Sequence, residues 1–308
     1  MNCYPIVIPT LCRFEHFKRC IESLAANSLA SQTDVYIGLD YPLKEEHWEG
    51  YQALCEYIPS INGFRNIHVI KREYNYGASK NLNSLIEYVL GRFDAVIISE
   101  DDNIFSPNFL EYINIGLARF KNDAFVIAIC GYRHFYNINF EKNNYFRQNV
   151  AFSAWGYGIW RNKMEIYRQT LTQHYFRKKM LNPQAVYRVW KHGYSFLLNF
   201  ILYAWGNWDG SITDSVLNIY MAIENRSVIM PTISKVRNMG WDGSGEHYVE
   251  IENKQLFANQ VLDINNHFEY QGNGWEYFSE NERIYANENY ARISLKDFVQ
   301  NIFSRIFR

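Results

Sequence analysis

Hydrophobic and polar positions alternate regularly over the first hundred residues of the chain. Apolar runs of strand length occur at residues 5–9, 35–39, 67–70 and 95–98. Between them, apolar residues recur every three or four positions, as in Phe14, Phe17, Ile21 and Leu24, which predicts amphipathic helices. Strands that alternate with helices predict an α/β fold with a mostly parallel sheet, in which ligands bind at the carboxyl ends of the strands.

The pattern becomes less regular after about residue 106. Residues 152–160 contain two glycines and are interpreted as a glycine-punctuated turn or as a close approach of the backbone to a ligand. A helix with Ser211 as its cap is predicted at 211–224, and a last buried strand at 228–231. Residues 238–247 are rich in glycine and predict a loop.

Composition excludes some classes of protein. The chain carries 31 Lys and Arg against 32 Asp and Glu, so no global charge attracts nucleic acid. Its five cysteines are scattered over the first half without paired spacing, which predicts reduced thiols in a cytoplasmic protein. Neither a signal peptide nor a membrane-spanning run is predicted, because the most apolar later run, 196–205, is too short.

Three acids, Glu100, Asp101 and Asp102, follow the strand predicted at 95–98. Carboxylates crowded at the end of a buried strand repel one another, so the cluster favours a bound cation or a hydroxyl-rich ligand. Hard divalent cations such as Mn²⁺ or Mg²⁺ prefer oxygen ligands of this kind. The alternative is a helix N-terminus, where acids are common, but the position after a buried strand favours a ligand site.

Two nucleotide-binding motifs are missing after the first predicted strand. A dinucleotide-binding enzyme would have G-x-G-x-x-G there and a P-loop enzyme a glycine-rich loop ending in Gly-Lys-Ser/Thr. This chain has Pro9-Thr10-Leu11-Cys12-Arg13 instead. A metal and a cationic side chain are therefore expected to hold a pyrophosphate.

The order of these features resembles the GT-A glycosyltransferases over about residues 4–247, in particular the family-2 enzymes and the N-acetylglucosaminyltransferase I type. The resemblance implies a Rossmann-like fold with a mostly parallel central sheet, helices on both faces and an acceptor-side subdomain. It further implies a donor-binding half at 1–110 and an acceptor-binding and catalytic half at 111–250. The remaining residues, 251–308, are predicted to form a C-terminal extension with an amphipathic tail helix.

The same resemblance implies roles for residues near the donor. Thr10 and Arg13 match the first donor loop, with Arg13 near the phosphates, and Asp40 matches the acid that holds the uracil ring. Asn75 and Gly77 resemble the Asn-x-Gly turn beside the donor.

The acidic cluster resembles the DxD-type motif of this family. It implies that Asp102 is the direct ligand of Mn²⁺ or Mg²⁺ and that Glu100 and Asp101 contact the sugar and ribose of a UDP-sugar. The loop at 240–247 resembles the late loop that closes over the donor, and its His247 is expected as a second metal ligand.

The acceptor side is implied by two later motifs. Residues 156–160 resemble the glycine-rich segment that lines it, and Trp208-Asp209 resembles the pair that carries the catalytic base. Asp209 is therefore the expected base, with Asp214 and Asp242 as alternatives.

The predicted function is that of a metal-dependent, inverting hexosyl- or N-acetylhexosaminyltransferase that uses a UDP-sugar and acts in bacterial-type polysaccharide assembly at the cell surface. A sugar nucleotidyltransferase is an alternative, but it would need a glycine-rich basic loop after the first strand. A non-catalytic carbohydrate-binding protein would explain the 17% aromatic residues but not the acidic cluster.

The tail at 294–308 sets apolar residues among Lys296, Arg305 and Arg308, which predicts an amphipathic helix. Such a helix favours peripheral contact with the inner face of the cytoplasmic membrane, where the acceptor would be a lipid-linked glycan. Packing of the same apolar face on the catalytic domain is the alternative. The basic stretch 161–194 predicts a solvated helix face, with a docking surface as its alternative.

Overall fold

The computed structural model describes residues 3–134, 143–150, 152–206, 208–210, 213–243, 259–272 and 293–306. The strands are β1 (Ile6–Thr10), β2 (Asp34–Leu39), β3 (Asn66–Lys71), β4 (Ala95–Ile98), β5 (Asn103–Phe105), β6 (Val126–Cys130), β7 (Tyr145–Gln148), β8 (Tyr157–Trp160), β9 (Ser227–Pro231) and β10 (Val236–Asn238). The helices are α1 (Phe14–Ala25), α2 (Trp48–Tyr57), α3 (Ala78–Leu90), α4 (Phe109–Arg119), α5 (Arg161–Thr170), α6 (Gln173–Met180), α7 (Pro183–Trp190), α8 (Tyr194–Trp205), α9 (Asp214–Glu224) and α10 (Leu295–Ile306).

The central sheet has the strand order β3-β2-β1-β4-β8-β6-β9-β7. Strands β1 to β4 are parallel, as the sequence predicts, whereas β8 runs antiparallel to both β4 and β6. Helices cover both faces, and one apolar core lies on each side of the sheet. The protein therefore has the predicted α/β class, with a sheet that is mixed in its second half.

Burial explains the uniform apolar strands near the centre. Every residue of β2, β4 and β6 is buried, because helices pack on both faces of these strands. Strand β3 lies at the edge of the sheet, and only Ile67 and Ile70 among its residues are half-buried, the other four being exposed. None of the helices in the described ranges combines the length and the apolar character that crossing a bilayer requires.

The segment that was interpreted as a turn or a close approach, 152–160, is partly a strand. Its second half forms β8, which starts at the same edge of the sheet at which β4 and β6 end, because it runs antiparallel to both. Trp155, just before β8, is therefore carried to the carboxyl edge of the parallel strands. The helix predicted at 211–224 begins at Asp214, and Ser211 lies outside the described residues.

Residues 259–272 pack back onto the sheet. The buried ammonium of Lys235 pairs with Asp263, and Asn108 donates to the same carboxylate at 3.1 Å. The Tyr270 hydroxyl donates to the carbonyl oxygen of Tyr112 at 3.1 Å, and the two rings stack. This segment therefore completes the core beside α4.

Candidate functional site

A cavity of about 510 Å³ opens at the carboxyl edge of β1, β2 and β4, which are neighbours in the sheet. It is lined by the residues predicted to bind the donor and the metal, except for the undescribed His247: Thr10, Arg13, Asp40, Asn75, Gly77, Glu100, Asp101 and Asp102. The parallel order of the strands explains why residues so far apart in sequence meet. Their individual roles stay predictions.

Asp40 lies at one end of this cavity, directly after β2. It is buried, and its Oδ1 accepts hydrogen bonds from the backbone N–H groups of Tyr41 at 2.9 Å and Tyr76 at 2.8 Å. These two bonds fix the carboxylate and leave Oδ2 with acceptor capacity toward the cavity. Such an oxygen suits a ring N–H of a nucleobase.

The turn at Asn75–Gly77 is fastened to the same region. Asn75 donates from Nδ2 to the carbonyl oxygen of Tyr41 at 2.7 Å, which ties the turn to the end of β2. Gly77 has a φ of 74°, a conformation that glycine adopts without strain, and it precedes the first turn of α3. The turn therefore brings the N-terminus of α3 to the cavity wall.

Arg13 neutralises part of the acidic cluster. Its guanidinium pairs with Asp101 and, at 2.8 Å, with Asp102 Oδ2. Thr10 Oγ1 donates to Asp101 Oδ2 at 2.9 Å, so Thr10 orients this acid. Burial alone would lower the pKa of Arg13, but the two carboxylates outweigh burial and raise it.

The third acid of the cluster, Glu100, is repelled by neighbouring carboxylates. Burial, with the charges of Asp102, Asp214 and Asp101, raises the pKa of Glu100 to about 8. Burial also raises the pKa of Asp101, although Arg13 opposes that effect. One guanidinium therefore does not balance three carboxylates, and the cavity has room for a further positive charge.

The late loop closes this part of the cavity. Strand β10 pairs with β5, and this pairing sets Asn238 opposite Asn103. Asn238 Nδ2 donates to Asp102 Oδ1 at 2.7 Å, and the backbone N–H of Met239 donates to the Asp102 carbonyl at 2.9 Å. A Cβ on Gly240 would lie 2.2 Å from Asp102 Oδ2, so only glycine fits this approach.

A divalent metal fits the chemistry of these donors. The part of the chain that the structure describes holds no group of three or more His, Cys, Asp and Glu side chains arranged around a metal ion. An ion of the Mg²⁺ type, however, takes only one or two carboxylates and completes its shell with water and substrate phosphates. Each oxygen of Asp102 accepts one protein hydrogen bond and retains capacity for a second partner. His247 lies outside the described residues.

Three carboxylates were candidates for the catalytic base. Asp209 is exposed, and none of the three carboxylates is among the residues that line the cavity. Asp242 is half-exposed and lies 2.7 Å from His16 Nε2. Asp214 is partly buried at the first position of α9, accepts from the Ala154 N–H at 3.1 Å, and acts electrostatically on Glu100.

Burial is the main cause that raises the pKa of Asp214 to about 6. A carboxylate with this pKa is ionised at neutral pH and is a better proton acceptor than an ordinary aspartate.

Two tryptophans that the sequence analysis did not assign to a site line the cavity. The rings of Trp155 and Trp241 meet edge to face at 5.8 Å, and both border the cavity. Asn238 was missed as well. Only the glycines around these residues gave a signal, since 156–160 and 240–247 were both expected near the ligands.

Comparison with known proteins gives a family. The sequence model described as Glycosyl transferase family 2 matches residues 6–189, which is more than half of the chain. A search among curated protein sequences found no match.

A search among solved structures also found matches, at low sequence identity and low structural similarity. S. aureus TarS 1-349 in complex with UDP-GlcNAc is 14% identical with a TM-score of 0.38, and the match covers 55% of this chain and 48% of that one. A mannosyltransferase from Pyrobaculum calidifontis, in complex with GDP-Man and Mn²⁺, is 13% identical with a TM-score of 0.41. This match covers 71% of this chain and 68% of the mannosyltransferase chain. The chain thus spans about half or less of the TarS chains it matches.

Proposed function

Because the chain belongs to glycosyl transferase family 2, and is therefore a glycosyltransferase, we propose that it transfers a sugar from a UDP-sugar to a hydroxyl group of a glycan acceptor. The observation that carries this proposal is the single cavity lined by Asp40 at one end and by the cluster 100–102 at the other. A nucleoside diphosphate sugar has a base, a ribose and two phosphates in that order. The cavity offers an acceptor for the base and charged groups for the phosphates.

The acidic cluster supports a metal-dependent reaction. Asp102, turned toward the cavity and held by Asn238, would bind Mn²⁺ or Mg²⁺, which when bound would stabilise the negative charge on the departing UDP. Arg13 provides a fixed positive charge beside Asp101 and Asp102. In this arrangement Glu100 and Asp101 are the acceptors for hydroxyl groups of the sugar and ribose.

We assign the base to Asp214 in preference to Asp209, and the reaction is an inversion. A single displacement places the base on the opposite face of the sugar from the leaving group, so the base comes from the acceptor side. Asp214 acts electrostatically on Glu100, which lines the cavity, and has a raised pKa, whereas Asp209 is exposed. Trp155 and Trp241 would provide apolar faces for the acceptor sugar.

Release of UDP tests the proposal. We expect UDP to form from a UDP-sugar only with Mn²⁺ or Mg²⁺, and Asp102→Asn to lower the rate by about 100-fold or more because one preorganised charge is lost. Asp94→Asn is the matched control, since the Asp94 carboxylate is exposed and pairs with Arg161 away from the cavity. Full turnover of Asp102→Asn in excess EDTA would remove the metal-dependent mechanism.

Product analysis separates the remaining alternatives. An NMR spectrum showing the inverted anomeric configuration supports a single displacement, whereas the donor's own configuration would exclude it. Release of pyrophosphate from UTP and a sugar phosphate would indicate the nucleotidyltransferase instead. Sugar binding without turnover of any nucleotide sugar would indicate a binding protein.

A further inference from the structure

Helix α10 uses only part of its apolar surface for packing on the rest of the protein. Its residues Phe298 and Ile302 are half-buried, and the Phe298 ring lies 5.3 Å from that of Tyr194 at the start of α8. On the adjoining side, Leu295, Val299 and Phe303 are 57%, 41% and 63% exposed. One side of the helix therefore packs on α8, as the packing alternative predicts, whereas membrane contact stays a prediction.

The helices that share contacts with α8 also carry exposed aromatic residues. Helices α6, α7 and α10 all pack against α8. Tyr187 and Trp190 of α7 are 60% and 49% exposed, and Trp190 precedes Tyr194, the contact of α10, by four residues. Trp205, at the other end of α8, is half-exposed beneath the guanidinium of Arg177. We call these six exposed residues the α7–α10 face: Tyr187, Trp190, Trp205, Leu295, Val299 and Phe303.

The charge around this face is predominantly positive. From Ile166 to Trp208 the sequence contains six basic residues and no acid: Arg168, Arg177, Lys178, Lys179, Arg188 and Lys191. Arg168 and Lys179 are neutralised by Glu87 and Glu224, whereas Arg177 and Lys178 are exposed. On α10 itself, exposed Lys296 and Arg305 stand against one exposed acid, Asp297.

We propose that the α7–α10 face docks on an anionic lipid bilayer. Exposed Trp and Tyr side chains prefer the boundary between headgroups and acyl chains, and apolar residues of an amphipathic helix insert there. Basic side chains around them add attraction to anionic lipids. The bilayer explains the apolar, aromatic and positively charged character of the face together.

Co-sedimentation with vesicles tests the proposal on the full chain. Vesicles of phosphatidylcholine are compared with vesicles in which about one third of the lipid is phosphatidylglycerol, a fraction that gives a strongly negative surface. We expect the anionic vesicles to bind the protein at least about fivefold more tightly, which is the effect of one basic side chain at such a surface.

Two pairs of variants separate the contributions. Leu295→Gln with Phe303→Gln removes exposed apolar side chains, and Lys178→Gln with Lys296→Gln removes charge. Each pair should lower binding by at least about fivefold. The matched controls, Val261→Gln with Ile264→Gln and Lys44→Gln with Lys121→Gln, change exposed residues of the same types elsewhere and should bind as the unmodified chain does.

Calorimetric binding of UDP to each variant shows whether the fold is intact, and it reports on the donor site separately from the lipid. The proposal fails if the protein stays in the supernatant with both vesicle types, or if the controls lose as much binding as the test variants. It also fails if light scattering shows a dimer that Leu295→Gln with Phe303→Gln converts to monomer, since a second copy would then cover the face.

Discussion

At the scale of single residues, the site depends on acids whose surroundings differ. Asp40 is fixed by two backbone donors, Asp101 and Asp102 share Arg13, and Asp214 lies at a helix start beside the Ala154 N–H. Strand ends gave a sequence signal for the first three, because an acid after a buried apolar run is conspicuous. Asp214 lacked that signal, and only the fold brings it near Glu100.

The first prediction concerns base recognition by Asp40. We expect UDP to bind more tightly than CDP or ADP, and Asp40→Asn to weaken UDP binding by about tenfold, the effect of one lost charged hydrogen bond. Asparagine keeps an acceptor for the N–H groups of Tyr41 and Tyr76, so the loop should stay in place. Isothermal titration calorimetry measures the affinities, and equal affinities for all three nucleotides would show that Asp40 does not select the base.

The second prediction concerns the pH dependence caused by Asp214. Its pKa of about 6 lies above the ordinary aspartate value, so kcat/KM should fall as the pH drops through 6 and the carboxylate becomes protonated. Asp214→Asn should lower turnover by about 100-fold and remove this acidic limb. Asp209→Asn is the matched control, and a comparable loss there would return the base to Asp209.

The same raised pKa has a consequence for stability with a defined sign. Folding favours the protonated carboxyl, so ionisation of Asp214 destabilises the native state as the pH rises from about 4 to above 6. Asp214→Asn should therefore raise the free energy of unfolding at pH 8 by about 1–2 kcal/mol and leave it nearly unchanged at pH 4. Urea unfolding at the two pH values measures the difference.

At the scale of elements, the sequence predicted the repeating part of the fold well. Strands β1 to β4 lie within one or two residues of the predicted runs, because buried parallel strands and amphipathic helices have clear periods. Strands β5 and β10 were not predicted. Each has three residues, and their antiparallel pairing joins parts of the chain that are far apart, which no local pattern reports.

The third prediction concerns the loop that follows β10. Gly240→Ala places a methyl group against the Asp102 carboxylate, so the loop must move away from Asp102, the proposed metal ligand. We expect KM for the donor to rise by about tenfold, with a smaller loss of thermal stability. Gly91→Ala, at a helix end where a Cβ meets nothing closer than 3.4 Å, is the matched control and should leave KM unchanged. Unaltered kinetics in Gly240→Ala would show that the loop does not shape the donor site.

At the scale of the whole molecule, one sheet unites the parts that the sequence assigned to donor and acceptor. Strand β8 lies between β4 and β6, so the donor edge and the later strands share a continuous core. Residues 259–272 then cover α4 through Asp263, Phe268 and Tyr270. Sequence patterns did not reveal this segment, because its polar and aromatic residues have no helical or strand period.

The fourth prediction concerns the buried pair of Lys235 and Asp263. Lys235→Met leaves the carboxylate of Asp263 without its cation, so the free energy of unfolding should fall by about 3 kcal/mol. Lys121→Met changes an exposed lysine and should have little effect. Chemical unfolding followed by tyrosine and tryptophan fluorescence compares the two, and an equal stability of both variants would show that the pair contributes nothing.

The hydrogen bond from Asn238 to Asp102 joins residues that are 136 positions apart. Closing so long a loop has an entropic cost that must be met before the contact stabilises anything, and such contacts slow folding. The stretch by which the family is recognised, 6–189, ends well before Asn238. A chain emerging from the ribosome can thus complete that stretch while Asp102, the proposed metal ligand, still lacks the partner that holds it. Competence to bind the donor should accordingly appear late in synthesis, after β10 has paired with β5.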